Sequence, residues 1–171
     1  MRRRSAAGSS RSGGEPDTPR TRGDPGAAKA WQMILFDTNV LSELMKPTPD
    51  AGVMDWISAR PATTMYTSSI TQAEILHGVM LLPSGKRRSA FEAAAEAMFR
   101  DDFSGRILSF GSDAAPLYAQ IAVARRKAGR PISHFDAQIA AIARSTGATI
   151  ATRNVSDFEG CGVRIVDPWE A

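Results

Sequence analysis

Hydrophobic positions in this chain fall into short unbroken runs separated by longer stretches of helical periodicity. Residues 33–36, M-I-L-F, are apolar without alternation, the pattern of a strand covered on both faces. The run stops at Asp37, and helix signals then continue over 38–45, with Thr38 and Asn39 able to cap and Pro47 closing the segment. A second helix is predicted over 50–59, its apolar face supplied by Val53, Met54, Trp56 and Ile57. Residues 64–68 are β-branched and aromatic enough for a second strand. The pattern turns helical again over 71–82, until Pro83-Ser84-Gly85 breaks it. An alanine-rich helix over 86–103 precedes a strand over 106–110. Helices over 112–128 and 133–146 follow, ended by Gly129 with Pro131 and by Gly147. Strands over 148–151 and 163–166 complete the chain. Strands alternate with helices throughout, which predicts an α/β domain with a mostly parallel sheet flanked by helices.

The first 32 residues take no part in this pattern. They hold seven basic and three acidic residues, and their only apolar residues larger than alanine are Met1 and Trp31. Such a segment cannot offset the entropy of ordering, about 1–2 kcal/mol per residue for the backbone. The expectation is a disordered extension over 1–32 and one folded domain over 33–171, with Met33 a candidate initiation site directly before the first strand. The extension lacks the apolar core of a secretory signal, and its acids, glycines and prolines weigh against an organelle transit peptide. A chain starting at Met33 is expected to melt at the same temperature as the full chain. A large drop on truncation would show that the segment packs on the domain.

This division changes what the charge means. The chain carries +3, but residues 33–171 hold 14 basic and 15 acidic residues, so global charge gives no warrant for a nucleic-acid-binding face. Local clusters at Lys86, Arg87 and Arg88, and at Arg125, Arg126, Lys127 and Arg130, read as solvated helix ends or faces. Cys161 is the single cysteine, which excludes an intramolecular disulfide and suits a cytosolic chain. With only His77 and His134 beside it, a structural zinc site has too few soft ligands. No apolar run approaches the roughly 18 residues that span a bilayer.

Polar residues at the predicted strand ends carry the chemistry. Asp37 stands at the carboxyl end of the first strand, where open α/β sheets bind ligands; it reads as a helix cap or as a metal ligand. Glu74 follows the second strand, and T-Q-A-E from Thr71 has the spacing of a capping box, although the same place suits a metal ligand. Asp136 lies at helical spacing from Ile139, Ala140 and Ala143, so the apolar stripe carries a carboxylate in its first turn. S-H-F-D from Ser133 also fits a capping turn. An inward carboxylate needs a cation or donors to offset its desolvation, and no lysine or arginine stands three or four residues away. Asn154 and Asp157, in A-T-R-N-V-S-D-F, follow the strand over 148–151 either as turn or cap residues or as groups reaching the site. Several junctions thus bring acids to one sheet edge. Clustered carboxylates repel, a divalent cation relieves the repulsion, and hard oxygen ligands favour Mg²⁺ or Mn²⁺ over zinc. Such a metal commonly activates water in phosphoryl chemistry.

The segments I-L-F-D-T-N-V-L-S-E, S-S-I-T-Q-A-E-I-L-H-G-V, F-D-A-Q-I-A-A-I-A, A-T-R-N-V-S-D-F and V-D-P-W, in this order, span nearly all of the folded part. In them the chain resembles the PIN-domain ribonucleases, most closely the VapC toxins of bacterial toxin–antitoxin pairs in their FitB-like branch. The resemblance implies a PIN-like fold with a central parallel sheet of order 3-2-1-4-5 and Mg²⁺- or Mn²⁺-dependent endoribonuclease activity on an RNA substrate. It also implies inhibition by a cognate antitoxin protein, a homodimer and a cytoplasmic location. Asp37, Glu74 and Asp136 fall on the family's first three acids, which makes them the expected metal site, with Asp157 a fourth catalytic acid in support. Many relatives have an acid at Asn154, where an amide binds a metal more weakly. Thr38, Asn39, Ser68 and Asn154 look like groups that orient the acids.

Two other functions compete. A degenerate, non-catalytic PIN module acting as a binding protein would also account for Asn154. A phosphatase working through an aspartyl phosphate would want a second aspartate where Asn39 stands.

Overall fold

The computed structural model describes residues 33–171, so the expectation of disorder over 1–32 lies outside the described residues. Strands β1 (Ile34–Phe36), β2 (Met65–Ser68), β3 (Ile107–Leu108), β4 (Thr149–Ala151) and β5 (Arg164–Val166) form one sheet in the order β3-β2-β1-β4-β5. All four pairings are parallel, as expected. Parallel neighbours need crossovers, which the helices supply. These are α1 (Thr38–Leu44), α2 (Ala51–Ser58), α3 (Ser69–Met80), α4 (Lys86–Ala97), α5 (Ala114–Lys127), α6 (His134–Thr146) and the single turn α7 (Val155–Phe158).

Each face of the sheet buries its own core. Ile34 and Phe36 enter one cluster with Val40, Trp56, Met65 and Phe103, while Leu35 enters the other with Ile121, Ile139, Ile150 and Phe158. Every residue of β1 therefore meets a core, and its sequence shows no alternation. Burying each of these side chains contributes about 1.5–3 kcal/mol.

Several boundaries differ from the sequence expectation, most by one or two residues, among them β3, expected over 106–110, and α5, expected over 112–128; two differences have a clear physical cause. The third helix starts at Ser69, not at 71, because Ser68 at the end of β2 caps it: the Ser68 hydroxyl accepts from the Thr71 amide at 2.9 Å. The alanine-rich helix stops at Ala97 and widens into a π turn over Met98–Asp102, which brings Met98, Phe99 and Phe103 into the core together. Among the described residues, no helix is long and apolar enough to cross a membrane.

Register decides what meets at the carboxyl edge. Phe36 is level with Thr67 and Ala151, so the residues that follow, Asp37, Ser68 and Thr152, emerge side by side. The crossovers change direction at β1 and β4, which opens a crevice there.

Candidate active site

Asp37 occupies the N-cap position of α1, yet its side chain makes no capping bond. Its Oδ2 instead accepts from Thr152 Oγ1 at 2.8 Å and from Asn39 Nδ2 at 2.9 Å. Asn39 is itself held by the Arg153 amide, which donates to its Oδ1 at 3.1 Å. The residue is 4 % exposed, and burial lifts its carboxyl from the ordinary 3.8 to about 6. The Thr152 and Thr38 hydrogen bonds oppose the rise, while Asp136 and Glu74 add to it. Among the described residues no lysine or arginine forms an ion pair with it.

Glu74 does not complete the expected capping box. With Ser68 capping α3, Thr71 is buried against the Ser68 hydroxyl at 2.9 Å, and Glu74 Oε2 accepts from Thr38 Oγ1 on α1 at 2.7 Å. Burial raises its pKa, the Thr38 bond opposes, and Asp136 adds. Asp136 does belong to a capping turn: Ser133 Oγ accepts from the Asp136 amide at 3.0 Å and donates to its Oδ2 at 2.6 Å. Behind it Ile139, Ala140 and Ala143 are buried. Burial raises the Asp136 pKa and Asp157 adds to the rise; the Ser133 bond and the charge of Arg125 lower it. The positive charge that acts on Asp136 thus comes from α5 and not from its own helix, and the two side chains form no ion pair.

Asp37, Glu74 and Asp136 line one cleft of about 430 Å³, together with Thr38, Asn39 and Asn154. Lys46 and Arg153 add positive charge to its wall, and the Arg153 guanidinium lies 5.4 Å from the Trp169 ring centroid. Asp157 is not part of that lining, and its charge acts on the site through Asp136. Of the groups expected to orient acids, Thr38 and Asn39 bond them directly. Ser68 bonds none and works one step back, through the start of α3. Asn39 has both ends of its amide engaged, at Asp37 and at the Arg153 backbone.

Two functional groups escaped the sequence reading. Thr152 is fully buried, donates to Asp37 and accepts from the Asn154 amide at 3.0 Å; its place directly after the strand predicted over 148–151 was the signal in the sequence. Glu43 is also buried against the cleft. Its pKa is lowered, first by the hydrogen bond from Lys46 at 2.7 Å and then by that from the Asp50 amide at 2.9 Å, so it serves to tie α1 to the start of α2.

Among the described residues, no three His, Cys, Asp or Glu side chains form a finished cation cage. The donor set still suits a hard dication that binds through one or two carboxylates and keeps water in its other positions. Three acids face one cleft with raised pKa values, and a divalent charge offsets both their burial and their repulsion. Soft ligands do not reach it. Cys161 is buried with its thiol pushed up by that burial, and His134 stacks on Tyr118.

Residues 34–159 match the PIN domain. The chain is 42% identical over 138 residues to the VapC ribonuclease Y4jK of Sinorhizobium fredii, a match covering 81% of this chain and 99% of that protein. It is 38% identical over 137 residues to the toxin FitB of Neisseria gonorrhoeae, covering 80% and 99%. Among solved structures it is similar to FitAcB from Neisseria gonorrhoeae, with a TM-score of 0.73 and 36% identity over 81% of this chain and 100% of that one. Motif order, sheet topology and the extent of these matches agree that the chain belongs to the PIN-domain family, in the group that holds the VapC ribonucleases and the FitB toxin.

Proposed function

We propose that this chain is a Mg²⁺- or Mn²⁺-dependent endoribonuclease, the toxin of a toxin–antitoxin pair. The observation that carries this reading is the convergence of Asp37, Glu74 and Asp136 on one cleft at the carboxyl edge of a PIN sheet. Its relatives are ribonuclease toxins, and PIN-domain nucleases of this kind are generally divalent-metal dependent. Asp37 and Asp136 would hold the ion, with Glu74 completing its surroundings or polarising the attacking water. Asp157 stands outside the cleft, and its negative charge adds to the repulsion at Asp136 that a bound dication would relieve. When bound, a dication lowers the pKa of water and neutralises charge developing on the phosphoryl oxygens.

The protein's own part is to fix the acids in advance. Thr152 and Asn39 hold one oxygen of Asp37, Thr38 holds Glu74 and Ser133 holds Asp136, so little reorganisation is left for the moment of reaction. Lys46 and Arg153 are placed to meet the RNA backbone, where contacts fix register without reading sequence. The engaged amide of Asn39 leaves no second acid two residues after Asp37, which disfavours phospho-aspartate chemistry.

Cleavage of a panel of RNAs by the purified protein is the test. Products are expected with Mg²⁺ or Mn²⁺ and none with EDTA. RNA binding without cleavage under every metal condition would favour the non-catalytic module, the reading that Asn154 supports. The cognate antitoxin, a homodimer and a cytoplasmic setting belong to the same proposal. Co-purification with the product of an adjacent small reading frame, and light scattering, check the first two.

Thr152→Val keeps the shape of the side chain and removes the hydroxyl. It is expected to lower the cleavage rate by about 10–100-fold, the usual cost of losing a group that orients a metal ligand, with the KM for RNA little changed. Unaltered kinetics in this variant would remove Thr152 from the site.

A further inference from the structure

We infer that Arg125 is a positioning residue: its guanidinium locks together the two loops that bring Asp136 and the Asn154–Asp157 turn to the site. The kinetic part of the test rests on the proposed nuclease function, and the exchange part does not. In sequence Arg125 belongs to a basic run, but the structure separates it from its neighbours. It is 7 % exposed, whereas Arg126, Lys127 and Arg130 are exposed. Its Nε donates to the Arg130 carbonyl at 2.8 Å, and its Nη1 donates to the Glu159 carbonyl and, at a longer 3.4 Å, to that of Ser156. Among the described residues it pairs with no carboxylate; the Glu159 side chain is taken by Arg130 at 2.8 Å. A buried guanidinium needs partners for its donors, and here backbone carbonyls of two separate loops take its Nε and Nη1.

Both loops end in site residues. The Arg130 carbonyl lies three residues before Ser133, whose hydroxyl fixes Asp136. Ser156 and Glu159 belong to the turn of α7, where Asn154 stands at the N-cap position but makes no side-chain cap bond. Phe158 packs the turn into the core, and Arg125, from α5, adds a polar anchor at the Ser156 and Glu159 carbonyls. The charge is also close enough to lower the Asp136 pKa. A lysine could not do the same, because a single ammonium lacks the planar fork that spans two acceptors.

The experiment uses the full chain, with Arg125→Met, Arg125→Lys, and Ile121→Val as a control that weakens the same helix while leaving the clamp in place. Each is measured by hydrogen exchange without metal and by RNA cleavage at a temperature where it is folded. In Arg125→Met the amides of residues 132–136 and 153–160 are expected to exchange faster together, with those of β1 and β4 unchanged. The kcat should fall at least tenfold with KM within about twofold. Ile121→Val should keep both wild-type kcat and wild-type exchange in the two loops. If Arg125→Met does not fold, Arg125→Lys decides, and the same paired loosening is expected from it. Wild-type exchange and kcat in a folded Arg125 variant overturn the inference. So does an equal kcat loss in Ile121→Val, which would reduce the effect to stability. Should the wild-type protein cleave no RNA, the nuclease reading fails while the exchange data still decide the clamp.

Discussion

Asp37→Asn is expected to abolish divalent-dependent cleavage and, at the same time, to raise the melting temperature of the metal-free protein at neutral pH. The loss should exceed about a hundredfold, the upper end of what removing a group that merely orients a ligand costs. The gain follows from burial. Folding lifts the Asp37 carboxyl from 3.8 to about 6, so the folded state binds its proton more tightly than the unfolded chain does. The stability linked to that proton is full below about pH 4 and is lost as the pH rises through 6, a penalty of at most about 3 kcal/mol at neutrality. An amide carries no such penalty. The two proteins should therefore have similar melting temperatures at pH 4 and diverge by several degrees at pH 7.5 in EDTA, and Mg²⁺ should restore only the wild type. Wild-type turnover in Asp37→Asn at saturating Mg²⁺ would show that the metal assignment is wrong. Asp136→Asn should lose cleavage to a similar degree.

Glu74→Gln is expected to cost one to two orders of magnitude in rate with little change in melting temperature. An amide would serve equally well in a capping box, and Ser68 already caps α3, so a rate loss here reports on chemistry. The Thr38 hydroxyl can donate to the glutamine oxygen as it does to Oε2, which keeps the side chain in place and removes only the charge. Kinetics close to wild type would remove Glu74 from the site and leave Asp37 and Asp136 to hold the ion between them.

The mostly parallel sheet and the three cleft acids were legible because their signals are local: an unbroken apolar strand, a carboxylate directly after it, a stripe interrupted by an acid; the strand order came from the resemblance to the PIN-domain family. What the sequence hid depended on remote partners. Ser68 and Thr71 are both plausible caps, and only the point where β2 ends selects the first, which in turn frees Glu74 for Thr38. Arg125 looked solvated because its compensating groups are main-chain carbonyls of residues 130, 156 and 159, and these have no residue-type signature. Thr152 was overlooked for the same reason, since its importance lies in being level with Asp37 across β1 and β4. Asp157 carried the expected charge, yet Asn154 stands in the cleft wall.

The strand order has a consequence for synthesis. β1, which carries Asp37, is made first and sits at the centre of the sheet, but its neighbour β4 and the donor Thr152 come from the last quarter of the chain. Such distant pairing forms late. A chain still on the ribosome can present Asp37 and Glu74 but lacks the strand that closes the crevice and the hydroxyl that holds the first acid. An activity that needs β4 and the Thr152 hydroxyl at Asp37 therefore waits until nearly all of the chain has been made.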